Sequence, residues 1–340
     1  MASLGKAADT LTFDVSVLIV GFRSRATIGR CLDALAAQTC RPAQVLLLEN
    51  GSPEGERIDA AGLPDWVEFV ASDENLGFAG GNNKLAALAS GEWLALLNPD
   101  AFAEPDWLET LADATRRYPG DAIFGSTQLA ADQGDVLDGV GDVYHATGFA
   151  YRAGYGRPLS TRPDEGEVFG ACAAAMLVRR DLFEALAGFD EDFFCYNEDV
   201  DFAFRARLAG FRAIQLSTAT VAHLGYASSG RRSEFATYYG ARNRLWVFIK
   251  NMPAPLFWLL LLPHLAVTLI LWLRFALIGQ GVVFGRALGD GLKAIGTVWH
   301  KRKQVQAQRT ASLGRIARAL SWDPRLLLTR GPDVRPLKPD

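Results

Sequence analysis

Cysteine is scarce in this chain, and the few present follow no pattern. Cys31, Cys40, Cys172 and Cys195 show neither CxxC nor any other metal-type spacing, and 340 residues suffice for a core without covalent staples. A zinc ribbon and a disulfide-stapled secreted fold are thereby excluded, and a reducing compartment fits best. Nucleotide fingerprints are also missing. GFRSRATIG stands after the first apolar run in place of GxGxxG, which excludes a Rossmann dehydrogenase, and no turn has the spacing of a Walker loop. The opening MASLGKAADT lacks the long apolar stretch and cleavage site of a secretory signal, so the expected location is inside the cell. No internal repeat or long low-complexity tract occurs. Nothing in the chain points to nucleic acid as a partner.

Charge is unevenly spread. From Arg286 onward twelve Lys or Arg face four Asp, a local charge of +8, so the preceding 285 residues carry −11 within a total of −3. Such a basic tail suits an anionic membrane surface. Just upstream, LFWLLLLPHLAVTLILWL, Leu256 to Leu273, runs eighteen residues without an Asp, Glu, Lys or Arg. By length it just suffices to span a bilayer. A single crossing would put the basic tail opposite a cytosolic body, against the positive-inside tendency, so a re-entrant or surface-lying helical segment is expected. Burial of the same segment in a dimer of the chain is the alternative. The boundaries read as an N-terminal tail at 1–12, a catalytic domain at 13–250, an apolar membrane-associating segment at 251–285 and a basic tail at 286–340.

Short apolar runs alternate with amphipathic stretches through the first half, the pattern of βα units around a mostly parallel sheet, and the fold class is α/β. VSVLIV at Val15 to Val20 and VLLL at Val45 to Leu48 flank an amphipathic stretch from Thr27 to Gln38. WLALL from Trp93, AIF from Ala122 and AAAMLV from Ala173 read as interior parallel strands buried on both faces. The Gly/Asp-rich stretches Ala131 to Asp142 and Tyr151 to Gly166 read as loops over the site.

Three places carry residues suited to chemistry. Asn98 and Asp100, in NPDA, follow the strand WLALL, where ligands gather beyond the carboxyl ends of an open sheet; Asp100 is positioned to hold Mg²⁺ or Mn²⁺. His223, in VAHLGYASSG, is a distant second ligand, although an ordinary capping turn and a satisfied loop histidine are the plain readings of these two motifs. GFDEDFFCYNEDVDFAFRARLAGF sets Glu198, Asp199 and Asp201 at the start of a helix ending at Gly210. There the helix dipole favours an ionised Asp199 poised as a general base, with Glu198 beside it as a second catalytic candidate whose plain reading is an N-cap or solvated acid, while Asp201 and Arg205 suit a surface or site-edge ion pair. Finally, LLLENGSPEG offers Glu49 and Asn50, and ENLGFAGGNNKLAALASGEW offers Asn75, Gly77 and Asn82, two glycine-rich turns whose amides suit a phosphate cradle.

Taken together in their order, VSVLIVGFRSRATIGRCLDAL, LLLENGSPEG, ENLGFAGGNNKLAALASGEWLALLNPDA and GFDEDFFCYNEDVDFAFRARLAGF resemble glycosyltransferase family 2, closest to its rhamnosyltransferase-like branch, over Asp14 to Lys250. The resemblance implies a GT-A fold, a Rossmann-like mostly parallel sheet flanked by helices, here with a C-terminal membrane-associating segment. It implies an inverting transfer of a sugar from a nucleotide-diphosphate donor, with Asp199, second acid of the ED pair, as base and with Mg²⁺ or Mn²⁺ on Asp100 and His223. Nucleotide contacts fall by resemblance on Glu49, Asn50, Asn75, Gly77, Asn82 and Asn98, and YYGARNRLWVFIKNMP places Arg242 and Asn243 beside the diphosphate. Gly21 and Phe22 stand where relatives show Asn-Tyr, and Glu49 replaces a usual Asp. The implied activity is transfer of L-rhamnose from dTDP-rhamnose to a lipid-linked or polysaccharide acceptor at the cytoplasmic face of a membrane, with a second copy as a further partner. A UDP-dependent hexosyl, galactofuranosyl or N-acetylhexosaminyl transfer is the alternative within the enzyme class; a catalytically silent glycan-binding scaffold is the alternative outside it.

Overall fold

A computed structural model describes residues 11–225 and 233–337. Ten residues of the expected N-terminal tail, the end of the VAHLGYASSG motif from Tyr226 and the last three residues lie outside the described residues. In chain order the first half comprises β1 (Leu11–Gly21), α1 (Ile28–Ala36), β2 (Cys40–Asn50), β3 (Glu68–Ser72), α2 (Gly77–Ala86), β4 (Trp93–Leu97), β5 (Ala101–Ala103), α3 (Trp107–Arg117) and β6 (Ile123–Ala130). Then follow β7 (Gln133–Gly139), β8 (Asp142–Tyr144), β9 (Ala150–Arg152), β10 (Gly166–Val168), β11 (Ala175–Arg179), α4 (Arg180–Ala185), α5 (Glu198–Leu208) and β12 (Ala213–His223). The remainder is helical: α6 (Glu234–Asn251), α7 (Ala254–Leu277), α8 (Gly281–Lys293), α9 (Ile295–Ala307), α10 (Leu313–Ala319) and α11 (Pro324–Thr329).

The main sheet runs β10-β12-β6-β11-β4-β1-β2-β3, with β5 on the free half of β12 and β7 on β6. β1 pairs in parallel with β2 and β4, β2 with β3, and β6 with β12, whereas β11 is antiparallel to both β4 and β6. The sheet is therefore mixed. AAAMLV, expected to run parallel, runs the other way, because an unbroken apolar run reports burial of both faces and carries no direction. Since β11 opposes two neighbours, β1 to β4, β6 and β12 all end on one side, where Asn50, Asn98 and His223 sit.

Alternation along β1, β2 and β4 feeds two cores. Val15, Val17, Ile19, Val45 and Leu47 pack with α1 and α3 through Leu32, Leu35, Trp107 and Leu111. Leu18, Leu46, Leu48, Leu94 and Leu96 face the opposite layer of Leu85, Phe183 and Phe202. Each such side chain removed from water contributes about 1.5–3 kcal/mol.

Three expectations are corrected here. Ala131 to Asp142 and Tyr151 to Gly166 are not simple loops: they contain β7, the start of β8, the end of β9 and the start of β10. Asp201 and Arg205 form a fully buried pair at 2.8 Å, not a surface pair, because α6 covers them and adds Lys250 at 2.9 Å and Asn251 at 2.7 Å to the same carboxylate. The basic stretch after Arg286 is folded against the body: Lys301 bonds Asp190 and Asp192, and Arg302 caps the end of α6 through the carbonyls of Ile249 and Met252. Several of its cations thus serve internal acids and carbonyls before any external surface. The apolar run forms α7, 24 residues long, with His264 buried against Phe248 and a broad outward face on which Leu262 is 76% and Leu277 88% exposed.

Candidate active site

Asp100 and His223 meet because β5 turns back from the end of β4 and pairs with the last residues of β12, setting Ala101 opposite His223. The Leu224 N–H donates to the Asp100 carbonyl at 3.0 Å, which pins the turn. His223 Nε2 lies 3.3 Å from Asp100 Oδ1 and 3.3 Å from Asn98 Nδ2, and its Nδ1 lies 2.7 Å from Asp138 Oδ2. Arg152 in turn bonds the same oxygen of Asp138. Burial alone would push the imidazole toward its neutral form, yet the hydrogen bonds to Asp100 and Asp138 outweigh it and raise the His223 pKa. Burial likewise opposes ionisation of Asp138, but His223 and Arg152 hold it below the usual carboxylate range.

Asp199 occupies the first turn of α5, as its motif suggested. Its Oδ1 accepts the Val200 N–H at 2.8 Å and its Oδ2 the Ala173 N–H at 3.3 Å. The next residue, Ala174, accepts the Asn98 N–H at 2.9 Å, so the carboxylate is tied to the same end of β4 that carries Asp100. The expected helix-start stabilisation is therefore present, but it does not win. Burial raises the Asp199 pKa despite the two amides and Arg152, and the neighbouring Asp142 is raised further by burial and by the charge of Asp199. Glu198 is buried with Oε2 lacking a hydrogen-bond partner among the described residues, and desolvation followed by Asp199 pushes it well above the carboxylate range. It is a buried acid, neither a cap nor a solvated face.

The cation-binding character of these groups is uneven. Cis ligands held about 2.0–2.1 Å from an octahedral Mg²⁺ stand roughly 3 Å apart, which the 3.3 Å between Asp100 and His223 suits. Asp142, Cys172 and Asp199 also bring one donor each to within 4.8 Å of one another. Burial, however, pushes the Cys172 thiol up to about 12, so it stays protonated and is a poor partner for a hard cation. The residues at the ends of β4 and β12 fit Mg²⁺ or Mn²⁺ better.

The residues expected to cradle a nucleotide have other work. Glu49 Oε1 and Oε2 accept the N–H groups of Ser52 at 2.8 Å and Ile58 at 2.9 Å, shaping the loop after β2. Asn50 spans from β2 to Leu76, Asn75 and Gly77, and Asn75 accepts the Gly77 N–H at 2.9 Å. The Ala79 N–H donates to the Phe194 carbonyl at 3.2 Å, so three amides at the start of α2 that a phosphate would need are already bonded. Asn82 turns inward and donates to Phe78 at 2.9 Å. Gly77 has φ +70°, and a Cβ there would stand 2.3 Å from the Phe194 carbonyl oxygen; α2 and the acidic loop touch through this glycine. Asn243 donates to the carbonyls of Phe193, Cys195 and Tyr196 at 2.7–2.9 Å, and Arg242 donates to Asp192 and Phe193. Together they hold the turn in which Phe194, Tyr196 and Asn197 all have positive φ, immediately before Asp199.

Sequence reasoning missed Asp138, Asp142 and Arg152. All three lie on β7 to β9, where cross-strand pairing sets Asp142 opposite Arg152. Arg152 acts electrostatically on Asp138, Asp142, Asp199 and His223, and so links the pair at Asp100 with the base region. The available signal was Leu137, Val140 and Val143 among these acids, since a solvent-facing loop has no use for buried apolar residues. A separate groove of about 610 Å³, lined by Trp322, Asp323 and Arg335 among others, contains none of these site residues.

The family model described as Glycosyl transferase family 2 matches residues 16–187. An N-acetylglucosaminyl-diphospho-decaprenol L-rhamnosyltransferase of Mycobacterium tuberculosis is 29% identical over 279 residues, 74% of this chain and 90% of its own. The O-antigen biosynthesis protein RfbC of Myxococcus xanthus is 32% identical over 237 residues, 64% of this chain and 18% of its own. Among solved structures, TarS 1–349 of S. aureus superposes with a TM-score of 0.54 at 14% identity, covering 86% of this chain and 87% of that one. GalNAc-T7 with UDP, GalNAc and Mn²⁺ gives 0.55 at 14% identity, covering 72% and 48%. These two likenesses establish the GT-A fold.

Proposed function

Because the chain belongs to glycosyl transferase family 2 and is a glycosyltransferase, we propose that it transfers L-rhamnose from a dTDP donor to a lipid-linked acceptor by a single inverting displacement. The observation that carries the mechanism is the meeting of Asp100 with His223 at the strand ends to which Asp199 is also tied. The relative in Mycobacterium tuberculosis, named as an L-rhamnosyltransferase acting on a diphospho-decaprenol, supports the donor sugar and the lipid.

In this reading the donor lies beyond the carboxyl ends of β1, β2 and β4, with its diphosphate toward Asp100. Asp100 and His223 would hold Mg²⁺ or Mn²⁺, which would supply charge neutralisation for the departing diphosphate. Asp199 accepts the proton of the acceptor hydroxyl as that oxygen bonds the anomeric carbon and the bond from carbon to diphosphate breaks. Arg152 keeps positive charge near Asp199 and the neighbouring Asp142, favouring the ionised base. Glu49, Asn50, Asn75, Gly77, Asn82, Arg242 and Asn243 act by shaping the walls, and Asn98 by facing His223.

Residues 13–250 form the catalytic unit in this reading, and α7 lies on the cytoplasmic face of the membrane as a monotopic anchor. Its outward apolar face supports that placement over burial within one copy. The deciding experiment incubates the purified chain with a panel of dTDP-, UDP- and GDP-sugars and a polyprenyl-diphospho-N-acetylglucosamine, with Mn²⁺ or with EDTA, and reads product mass. Cation-dependent addition of a deoxyhexose is expected. Addition of a hexose from a UDP donor would replace the donor assignment, and no transfer from any donor would leave the scaffold reading.

A further inference from the structure

The strand that presents His223 is not what orients its ring. His223 comes from β12, whereas the carboxylate that meets its Nδ1 at 2.7 Å belongs to Asp138 on β7, and β7 reaches that position by folding back on β6, with Gln128 opposite Gly139. Asp138 and His223 are both buried, at 4% and 3% exposure, so their bond is shielded from competing water. Asp138 is itself held by Arg152, whose side chain crosses β7 at Gly139, where a Cβ would come within 2.4 Å of Arg152 Cδ. No larger residue would let that guanidinium pass without a shift of its stem.

An imidazole can donate to a carboxylate from one nitrogen and offer a lone pair from the other, but it cannot hold both roles on one atom. A carboxylate that also accepts from Arg152 is an acceptor only, so Nδ1 must carry the hydrogen shared with Asp138. That leaves Nε2 as the atom facing Asp100 across 3.3 Å, a donor to it while the ring carries both protons and the lone pair offered once a cation displaces that proton. If Asp138 were lost, the ring would be free to turn or to place its hydrogen on Nε2, where it would bond Asp100 and close the gap between the two donors.

We propose that Asp138 is a positioning residue for the cation site, fixing the orientation and tautomer of His223 so that Nε2 faces Asp100, with Arg152 and Gly139 fixing Asp138 in turn. The inference rests on the reading of Asp100 and His223 as cation ligands. Outer carboxylates of this kind typically change metal affinity by about 10–100-fold when removed. A residue that only neutralised Arg152 would be replaceable by any carboxylate; one that aims a ring would not tolerate an added methylene.

The test titrates the full-length protein with Mn²⁺ alone, counting free ion by electron paramagnetic resonance and recording the ¹⁴N modulation of the bound ion by pulsed methods. Wild type is compared with His223→Ala, Asp138→Asn and Asp138→Glu, each checked for folding by its melting curve. The expected result is loss of nitrogen modulation in His223→Ala and Mn²⁺ affinity lowered about 10–100-fold in Asp138→Asn and by a smaller but clear factor in Asp138→Glu. Should Asp138→Asn fail to fold, Asp138→Glu carries the comparison. Wild-type affinity and modulation in folded Asp138→Glu overturn the inference while leaving the cation site intact. Identical behaviour of wild type and His223→Ala instead removes the cation-site reading itself.

Discussion

Asp142 and Asp199 bring a carboxylate oxygen each to within 4.8 Å of one another, although one lies on β8 and the other in the first turn of α5. Both are raised from the ordinary carboxylate value by burial, and the charge of Asp199 raises Asp142 further. A base must be ionised to work, so kcat/KM should fall on the acid side at a pH above that of a free carboxylate, as the pair takes up a proton. Asp142→Asn removes one of the two charges, and the acidic limb is expected to move to lower pH. Asp199→Asn is expected to cost about 10²–10⁴-fold in kcat with donor binding retained. An unmoved limb in Asp142→Asn would sever the pair, and full activity in Asp199→Asn would remove it as base.

Glu198 predicts a gain in stability. Its folded pKa lies well above the unfolded value through desolvation and the charge of Asp199, so its contribution is most favourable below the unfolded pKa and is lost as pH rises through the folded one. At pH 7–8 the protein either keeps a proton on Glu198 or buries its charge, and both cost stability. Glu198→Gln should raise Tm at pH 7–8 by roughly 2–4 °C for each kcal/mol relieved, and the gain should vanish near pH 4. Differential scanning calorimetry at the two pH values tests the sign.

Gly77 links two loops. With φ +70° and Phe194 O in the path of a Cβ, Gly77→Ala meets both a left-handed backbone and a 2.3 Å contact. The backbone term alone amounts to about 1–2 kcal/mol. Urea unfolding should show at least that loss, accompanied by lower kcat, since the displaced turn leads directly to Asp199.

The outward face of α7 yields a prediction about location. Leu262 and Leu269 are exposed, and burying each in lipid would contribute about 1.5–3 kcal/mol. The double substitution Leu262→Asp with Leu269→Asp should reduce flotation with anionic vesicles by at least about a hundredfold, while turnover of a water-soluble acceptor analogue persists. If the variant instead breaks a wild-type dimer in light scattering and still floats, the face belongs to a second copy.

Local pattern was enough to find the strands and helices whose signal lies in a few consecutive residues. β4 spans Trp93–Leu97 as WLALL suggested, and α5 starts at Glu198, one residue before the expected Asp199. Resemblance of ordered motifs also reached the family, and it named Asp100 and His223 before any distance was known. What it did not reach were partners chosen across the sheet.

That limit has a physical cause. Periodicity records which face of an element is buried, so it carried the apolar runs of β1, β2 and β4 but not the reversed direction of β11. It also overlooked β7 to β9, where turn residues and glycine hide strands whose acids meet His223 and Asp199. Side-chain carboxamides and carboxylates have no intrinsic destination either. Asn50 and Asn243, expected beside the nucleotide, also brace the backbone, because folding brought unpaired backbone groups to them and burying those groups unbonded is costly. By itself the chain of residues determined the α/β layers, the family and which side chains are candidates for the chemistry. Tertiary structure alone decided their ionisation and orientation, because both depend on desolvation and on neighbours such as Asp138, Asp142 and Arg152 that lie far away along the chain.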